Sequence, residues 1–395
     1  MIDDGCFCRS LLLFEHLLEG ADWVMRDTIK VGIAGFLGRG GNLAAAVEGH
    51  PHARVQAVCD IDERRLVPAA ASIGAEPYMD YDRMLSEAEL DAVILGTPMQ
   101  LHASQAVQAL DRNIHVLSEV VAAVSVEECR ELVAAQERSS ATYMLSENYC
   151  YTKANMLIEA LVAQDLFGTV YYAEGEYLHD LKDLNEITKW RRRWQTGVDG
   201  ITYGTHSLGP ILRWMPGDQV VSVCCRGSGH HYRDPRGDLY ENQDTCVMLA
   251  KSRRGALIKI RVDMVSTRPH VMHNFQLQGT EGAYESARVD SEVNRVWLSA
   301  LDDGNREWMD LRELEGRFLP DVWRQASSEA VKFGHGGGDH FVLEDFIAVV
   351  RGERQCRIDI HTAMDMTLPG LISQESIARD GMWLEVPDSR TWHTE

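Results

Sequence analysis

The chain has 395 residues, 45% of them hydrophobic, with 39 basic against 60 acidic side chains and a formal charge of −21. That length accommodates roughly two or three domains, and the apolar content excludes a disordered or fibrous chain. The negative field opposes phosphate backbones and so argues against nucleic acid; nine cysteines with no paired CxxC units read as reduced thiols of a cytoplasmic protein, with no metal expected.

Residues 1–28 carry only a short apolar patch, Leu11 to Phe14, flanked by acids. A signal peptide needs a basic start and a longer apolar core, and a membrane span needs about 20 apolar residues. Neither fits, so this stretch is read as an extension and no membrane partner is expected.

From residue 29 the sequence becomes informative. Lys30 to Ala34 reads as a buried parallel strand, and Gly35, Gly38, Gly40 and Gly41 permit a tight turn before a helix through Leu43 to Val47. The helix N-terminus is a place for a pyrophosphate. The G-x-G-x-x-G pattern taken over Gly35-Phe36-Leu37-Gly38-Arg39-Gly40 has Leu37 at its middle glycine. A second strand, Val55 to Cys59, ends at Asp60, where a carboxylate reaches ribose hydroxyls and selects NAD over NADP.

The same rhythm continues. Strands are predicted at Asp91 to Leu95, Asn113 to Leu117 and Thr142 to Leu145, and helices at Leu101 to Leu110 and Ser125 to Glu137. Alternating strands and helices give a Rossmann, doubly wound parallel sheet whose ligands sit at the carboxyl ends of the strands. Thr97, Pro98, Glu119, Glu147 and Asn148 fall at such ends, with His102 on the first turn of its helix.

After Cys150 the pattern changes to a helix at Ala154 to Gln164 and strands at 169–178, 219–226, 243–250, 255–264, 271–278 and 294–298, followed by helices at Phe341 to Val350 and Thr362 to Ile377. The fold class expected is therefore α/β: a dinucleotide-binding domain at 29–150 and an α+β substrate domain at 151–395 with a large, mostly antiparallel sheet. An exposed face of that sheet is a candidate homo-oligomer contact.

The residues GFLGRG, CDID, GTPMQLHA, HVLSEV and ENYCY together resemble the Gfo/Idh/MocA family of nucleotide-dependent oxidoreductases. The resemblance implies bound NAD, contacted around residues 35–40, Asp60, Thr97, Pro98, His102, Glu119 and Asn148, and a sugar substrate. Members usually carry Glu-Lys-Pro, whose lysine assists proton transfer; here the tripeptide is Glu119-Val120-Val121. Further segments, AEGEYLHD at Ala173 to Asp180, Trp190-Arg191, YGTH at Tyr203 to His206, Arg268-Pro269 and GHGGGD at Gly334 to Asp339, resemble the NAD-dependent α-N-acetylgalactosaminidase branch of glycoside hydrolases. That branch also lacks the lysine. Val121 departs from its proline, and Tyr284 stands one position from an expected tyrosine.

With valine at the lysine position, His206 is the base expected to take a sugar hydroxyl proton, helped by Tyr203 three residues earlier if both lie on a helix. Tyr177 is the candidate for a second proton step, which as a base requires a lowered phenol. Arg191 is expected at cofactor or substrate, and Glu147, His179 and His335 at substrate. The expected activity is redox-assisted glycoside cleavage through a keto sugar; the alternatives are a plain NAD(P)-dependent sugar dehydrogenase and a catalytically idle sugar or nucleotide sensor.

Overall fold

The computed structural model describes residues 28–392 apart from 270, 271 and 290; the expected N-terminal extension falls, but for Thr28, outside the described residues. The first sheet is built from β1 (Ile29–Ala34), β2 (Ala53–Cys59), β3 (Glu76–Tyr78), β4 (Ala92–Leu95), β5 (His115–Ser118) and β6 (Tyr143–Leu145), all parallel, in the order β3-β2-β1-β4-β5-β6. This is the doubly wound order whose switch point lies between β1 and β4. β1, β4, β5 and β6 are buried nearly throughout, β4 at all four positions, because helices cover both faces, while the edge strand β3 is exposed or half-buried along its length. The sequence reading had no β3 and neither of the helices Glu63–Ile73 and Tyr81–Glu87. The first of these helices contains Pro68, and β3 is three residues long with Pro77 inside it, so both lack the pattern by which such elements are recognised.

The second sheet has nine strands: β7 (Val170–Leu178), β8 (Val220–Gly227), β9 (Thr245–Ser252), β10 (Leu257–Asp263), β11 (His273–Gly279), β12 (Gly282–Glu285), β13 (Arg295–Leu298), β14 (Met309–Asp310) and β15 (Leu384–Glu385). Their order is β14-β13-β12-β11-β7-β10-β9-β8-β15. All neighbours are antiparallel except β7 and β10. Alternating burial along β9 and β10 packs one face on helices and leaves the other toward solvent.

Two long helices return the chain to the first sheet. Gly338–Val350 packs against Arg39–Gly49, and Ile360–Ala378 packs against Val126–Arg138 and β6. The bond from the Leu145 N–H to the Ile358 carbonyl, 3.1 Å, ties the outermost parallel strand to the C-terminal segment. No helix among the described residues is long and apolar enough to cross a membrane.

Candidate functional site

We call Arg39–Gly49 helix α1, Thr205–Arg213 helix α2 and Gly338–Val350 helix α3. The chain leaves β1 at Gly35, whose φ is +72° and where a Cβ would stand 2.5 Å from the Gly96 carbonyl oxygen; an L side chain is excluded on both counts. Helix α1 begins after Gly38 with no capping side chain and no acid in its first turn; the Gly38 and Gly40 N–H groups donate to the Gly35 carbonyl at 3.1 and 3.2 Å, and no side chain blocks an anion from the helix start. A Cβ at Gly38 would meet only the Gly35 carbonyl, 3.7 Å away, and the approach is open. Leu37 is half-buried against the core and contributes its backbone: its N–H donates to Asp60 Oδ2 at 2.9 Å, while Asp60 Oδ1 accepts from the Ile61 N–H at 2.8 Å. Phe36 is likewise half-buried. An uncapped helix start, a glycine cradle and a carboxylate at the end of β2 fit a dinucleotide.

The neighbouring strand ends are fixed by internal bonds. Thr97, followed by Pro98, donates its hydroxyl to Gln105 Oε1 at 2.6 Å. His102 is 2% exposed, its ring nitrogens 2.8 Å from the Thr97 carbonyl and 2.9 Å from the Val121 carbonyl. Burial pulls this imidazole below its ordinary value. It sits between two strand-end loops, its one N–H in the neutral form donating to one of the two carbonyls, and does not face open space.

Arg39, Glu119 and Asn148 meet one another's partners at a residue the sequence reading left unassigned, Asp339. Arg39 places both terminal nitrogens on the Asp339 carboxylate at 2.6 and 2.7 Å and its Nε on Glu119 at 3.0 Å. Asn148 Nδ2 donates to Asp339 at 2.7 Å, and His335 Nδ1 lies 3.0 Å from the same carboxylate. Burial pushes Asp339 up, but the His335 and Arg39 bonds outweigh it and hold the carboxyl well below the usual carboxylate range. The signal for it was in the sequence: the single acid closing the glycine run Gly336 to Gly338.

Across the cleft stands a buried dyad. Glu147, with no exposed surface, sets Oε1 2.7 Å from Nδ1 of His206, and His206 is 6% exposed. The carboxylate therefore fixes the Nδ1–H tautomer and leaves Nε2 as the acceptor. Glu147 was expected at substrate; the structure makes it the partner of His206. Tyr203 was expected on the same helix, but α2 starts at Thr205 and Tyr203 sits in the turn before it. Its ring still meets His206 at 5.3 Å and Tyr177 at 5.5 Å.

Tyr177, on β7, holds its hydroxyl 2.9 Å from Nδ1 of His179. Burial, with Tyr203 and Tyr149 nearby, pushes its phenol well above the ordinary value. The lowered phenol that a base role called for is absent. Tyr203 is pushed up to about 12, chiefly by burial, with Arg191 opposing. The Arg191 charge acts on both phenols while its side chain bonds Thr188 and Gln195 at 2.9 and 2.8 Å. Val120, at the usual lysine position, is 3% exposed.

Tyr149 was quoted within a motif but given no role, and it is the hub of the cluster. Its ring lies 4.6 Å from His206, 4.6 Å from His273 and 5.9 Å from His335. Beside it opens a cavity of about 400 Å3, lined in part by His273, Tyr284, Asn294 and His335, within the size range of small-molecule sites. Tyr284 is 1% exposed and packs on Trp214 at 5.8 Å.

Residues 29–147 match the oxidoreductase family with an NAD-binding Rossmann fold, and residues 151–393 match the family described as glycosyl hydrolase 109, C-terminal domain. The chain belongs to glycosyl hydrolase family 109. Among family 109 relatives, a protein of Saccharopolyspora erythraea is 28% identical over 404 residues, covering 94% of this chain and 85% of its own length, and one of Shewanella pealeana is 28% identical, covering 92% and 85%. The fold is shared with the WlbA dehydrogenase from Bordetella pertussis, solved in complex with NADH and UDP-GlcNAcA (TM-score 0.74, 23% identity, 91% of this chain and 98% of that one). It is shared also with a levoglucosan dehydrogenase solved with NADH and L-sorbose (TM-score 0.78, 19% identity, 92% and 100%). This family 109 chain is accordingly an NAD-binding enzyme of the Gfo/Idh/MocA oxidoreductase fold.

Proposed function

We propose that this family 109 enzyme cleaves a glycoside through a keto-sugar intermediate, with NAD regenerated within each turnover. The observation that carries this reading is the Glu147–His206 dyad, buried under the rings of Tyr149, Tyr177 and Tyr203, with valine where an oxidoreductase lysine would stand.

Residues 35–40, Asp60 and the strand ends at Thr97 and Pro98 would hold NAD, which when bound supplies a hydride acceptor and returns the hydride, leaving no net redox change. His206 Nε2 takes the proton from the sugar hydroxyl, and Glu147 stabilises the imidazolium by accepting from Nδ1–H. Oxidation to a ketone acidifies the adjacent C–H, so that a base removes that proton and the glycosidic oxygen departs; water then adds to the resulting double bond.

Tyr177 serves this second step through its partner. Its oxygen receives the C–H proton as its own hydroxyl proton passes to His179 Nδ1, so no free phenolate is needed. Arg191 lowers the cost of negative charge on Tyr177 and Tyr203. His335 and the cavity beside Tyr149 give room for the sugar or its aglycone.

Incubation with aryl α- and β-glycosides, with and without a 2-acetamido group and with no added nucleotide, tests the reading. Aglycone release with no accumulating NADH is expected. Stoichiometric NADH from a free sugar would instead identify a plain sugar dehydrogenase, the activity class named for the structural neighbours.

A further inference from the structure

Arg39 occupies the first turn of α1, where a cation is disfavoured by the helix dipole, and Asp339 occupies the first turn of α3, where an anion is favoured. The two residues are 300 positions apart and meet in a two-pronged ion pair whose contacts are 2.6 and 2.7 Å. With Nε on Glu119, every nitrogen of the Arg39 guanidinium is committed to a carboxylate, so the side chain acts on the phosphate turn by being anchored.

The Asp339 carboxylate is itself held on several sides. Asn148 and His335 bond it, and its side chain is 2% exposed. The loop before α3 is shaped to admit it: a Cβ at Gly334 would stand 1.9 Å from Asp339 Oδ2, and Gly336 and Gly337 have φ of +62° and +91°. This loop also places the His335 ring against Tyr149, which packs on His206. One carboxylate thus links the turn after β1 to the wall carrying the dyad.

We infer that Asp339 is a positioning residue that locks the phosphate-binding turn to the C-terminal half and thereby sets the rate of dinucleotide exchange. Opening the turn requires the largely buried Arg39–Asp339 pair to separate, and among the described residues neither charge has another opposite partner of the same quality: Arg39 keeps Glu119, and Asp339 keeps His335. The inference uses NAD binding but not glycoside cleavage.

The test is release of NAD from the full-length protein, measured with no sugar present by displacement with excess fluorescent 1,N6-etheno-NAD. Asp339→Asn is expected to release NAD at least tenfold faster than wild type, and Glu119→Gln about threefold faster. Should Asp339→Asn not fold, His335→Ala, which removes one bond aiming the carboxylate, is expected to give about threefold. Release within twofold of wild type in a folded variant lacking the Asp339 charge, or in His335→Ala if that is the variant used, overturns the inference. Release that is already complete within the mixing time in wild type also overturns it. Aryl glycoside turnover is measured separately: slow exchange in a wild type that cleaves nothing faults the proposed reaction and leaves the lock standing.

Discussion

The two walls of the cleft are built by different means. The dinucleotide wall is made of backbone: an uncapped helix start, a turn that only glycine can make at position 35, and carbonyls flanking His102. The opposite wall is made of side chains: Glu147 on His206, Tyr177 on His179, and Tyr149 among three histidine rings. A backbone wall tolerates varied side chains, as Leu37 shows by serving through its N–H. A side-chain wall tolerates little substitution, because each group is held by another group of exact reach.

The sharpest way to break the symmetry of that comparison is His206→Ala. Removing the proposed general base should lower aryl glycoside turnover about a thousandfold, in the middle of the range for acid–base groups, while NAD affinity stays within threefold. Single-turnover kinetics with a deuterated sugar separates the two; retained turnover removes His206 from the chemistry.

Asp339→Asn attacks the junction between the walls, and cutting a buried pair of this kind costs about 3 kcal/mol. The Asp339 carboxyl is held below its unfolded value of about 3.9, so its stabilisation is fully present above that pH and is lost as pH falls toward the lower folded value. The difference in Tm between wild type and variant should be constant above about pH 5 and narrow below about pH 4. A gap that widens in acid contradicts the assignment.

Gly96→Ala loads the backbone wall. The new Cβ would stand 2.3 Å from the Gly40 nitrogen and 2.5 Å from the Gly40 Cα, both main-chain atoms in the first turn of α1. A cost of about 2 kcal/mol is expected, with NAD affinity falling more than turnover at saturating NAD. Equal losses in both would show the damage spreading to the dyad.

The same difference explains what the sequence revealed. The parallel sheet, the glycine turn and the strand-end positions follow from periodicity and from glycines, which mark backbone geometry directly, and the structure bears out that architecture. The helix Glu63–Ile73 and β3 escaped because Pro68 and Pro77 interrupt their patterns, and the helix Tyr81–Glu87 because seven residues span too few turns to show a period. Pairings between side chains distant in sequence left no such trace. Glu147 is 59 residues from His206 and Asp339 is 300 from Arg39, so no local period links them. Resemblance picked out His206 and Tyr177 as residues; only the fold shows Glu147 2.7 Å from the ring of the first and His179 2.9 Å from the hydroxyl of the second.

Tyr177→Phe is the smallest and most discriminating change, since it removes one hydroxyl from a ring whose packing stays. Burial holds this phenol well above its ordinary value, and in the proposed relay its proton passes to His179, 2.9 Å away. Loss of the hydroxyl should lower turnover about tenfold, below the range for a full acid–base group, and His179→Gln should match it. If the two groups act as one relay, the double variant is no worse than either single, because a second removal from a broken pair has nothing further to take. Multiplying losses would mean that Tyr177 and His179 touch substrate separately, and the side-chain wall would then hold two proton sites beyond the dyad.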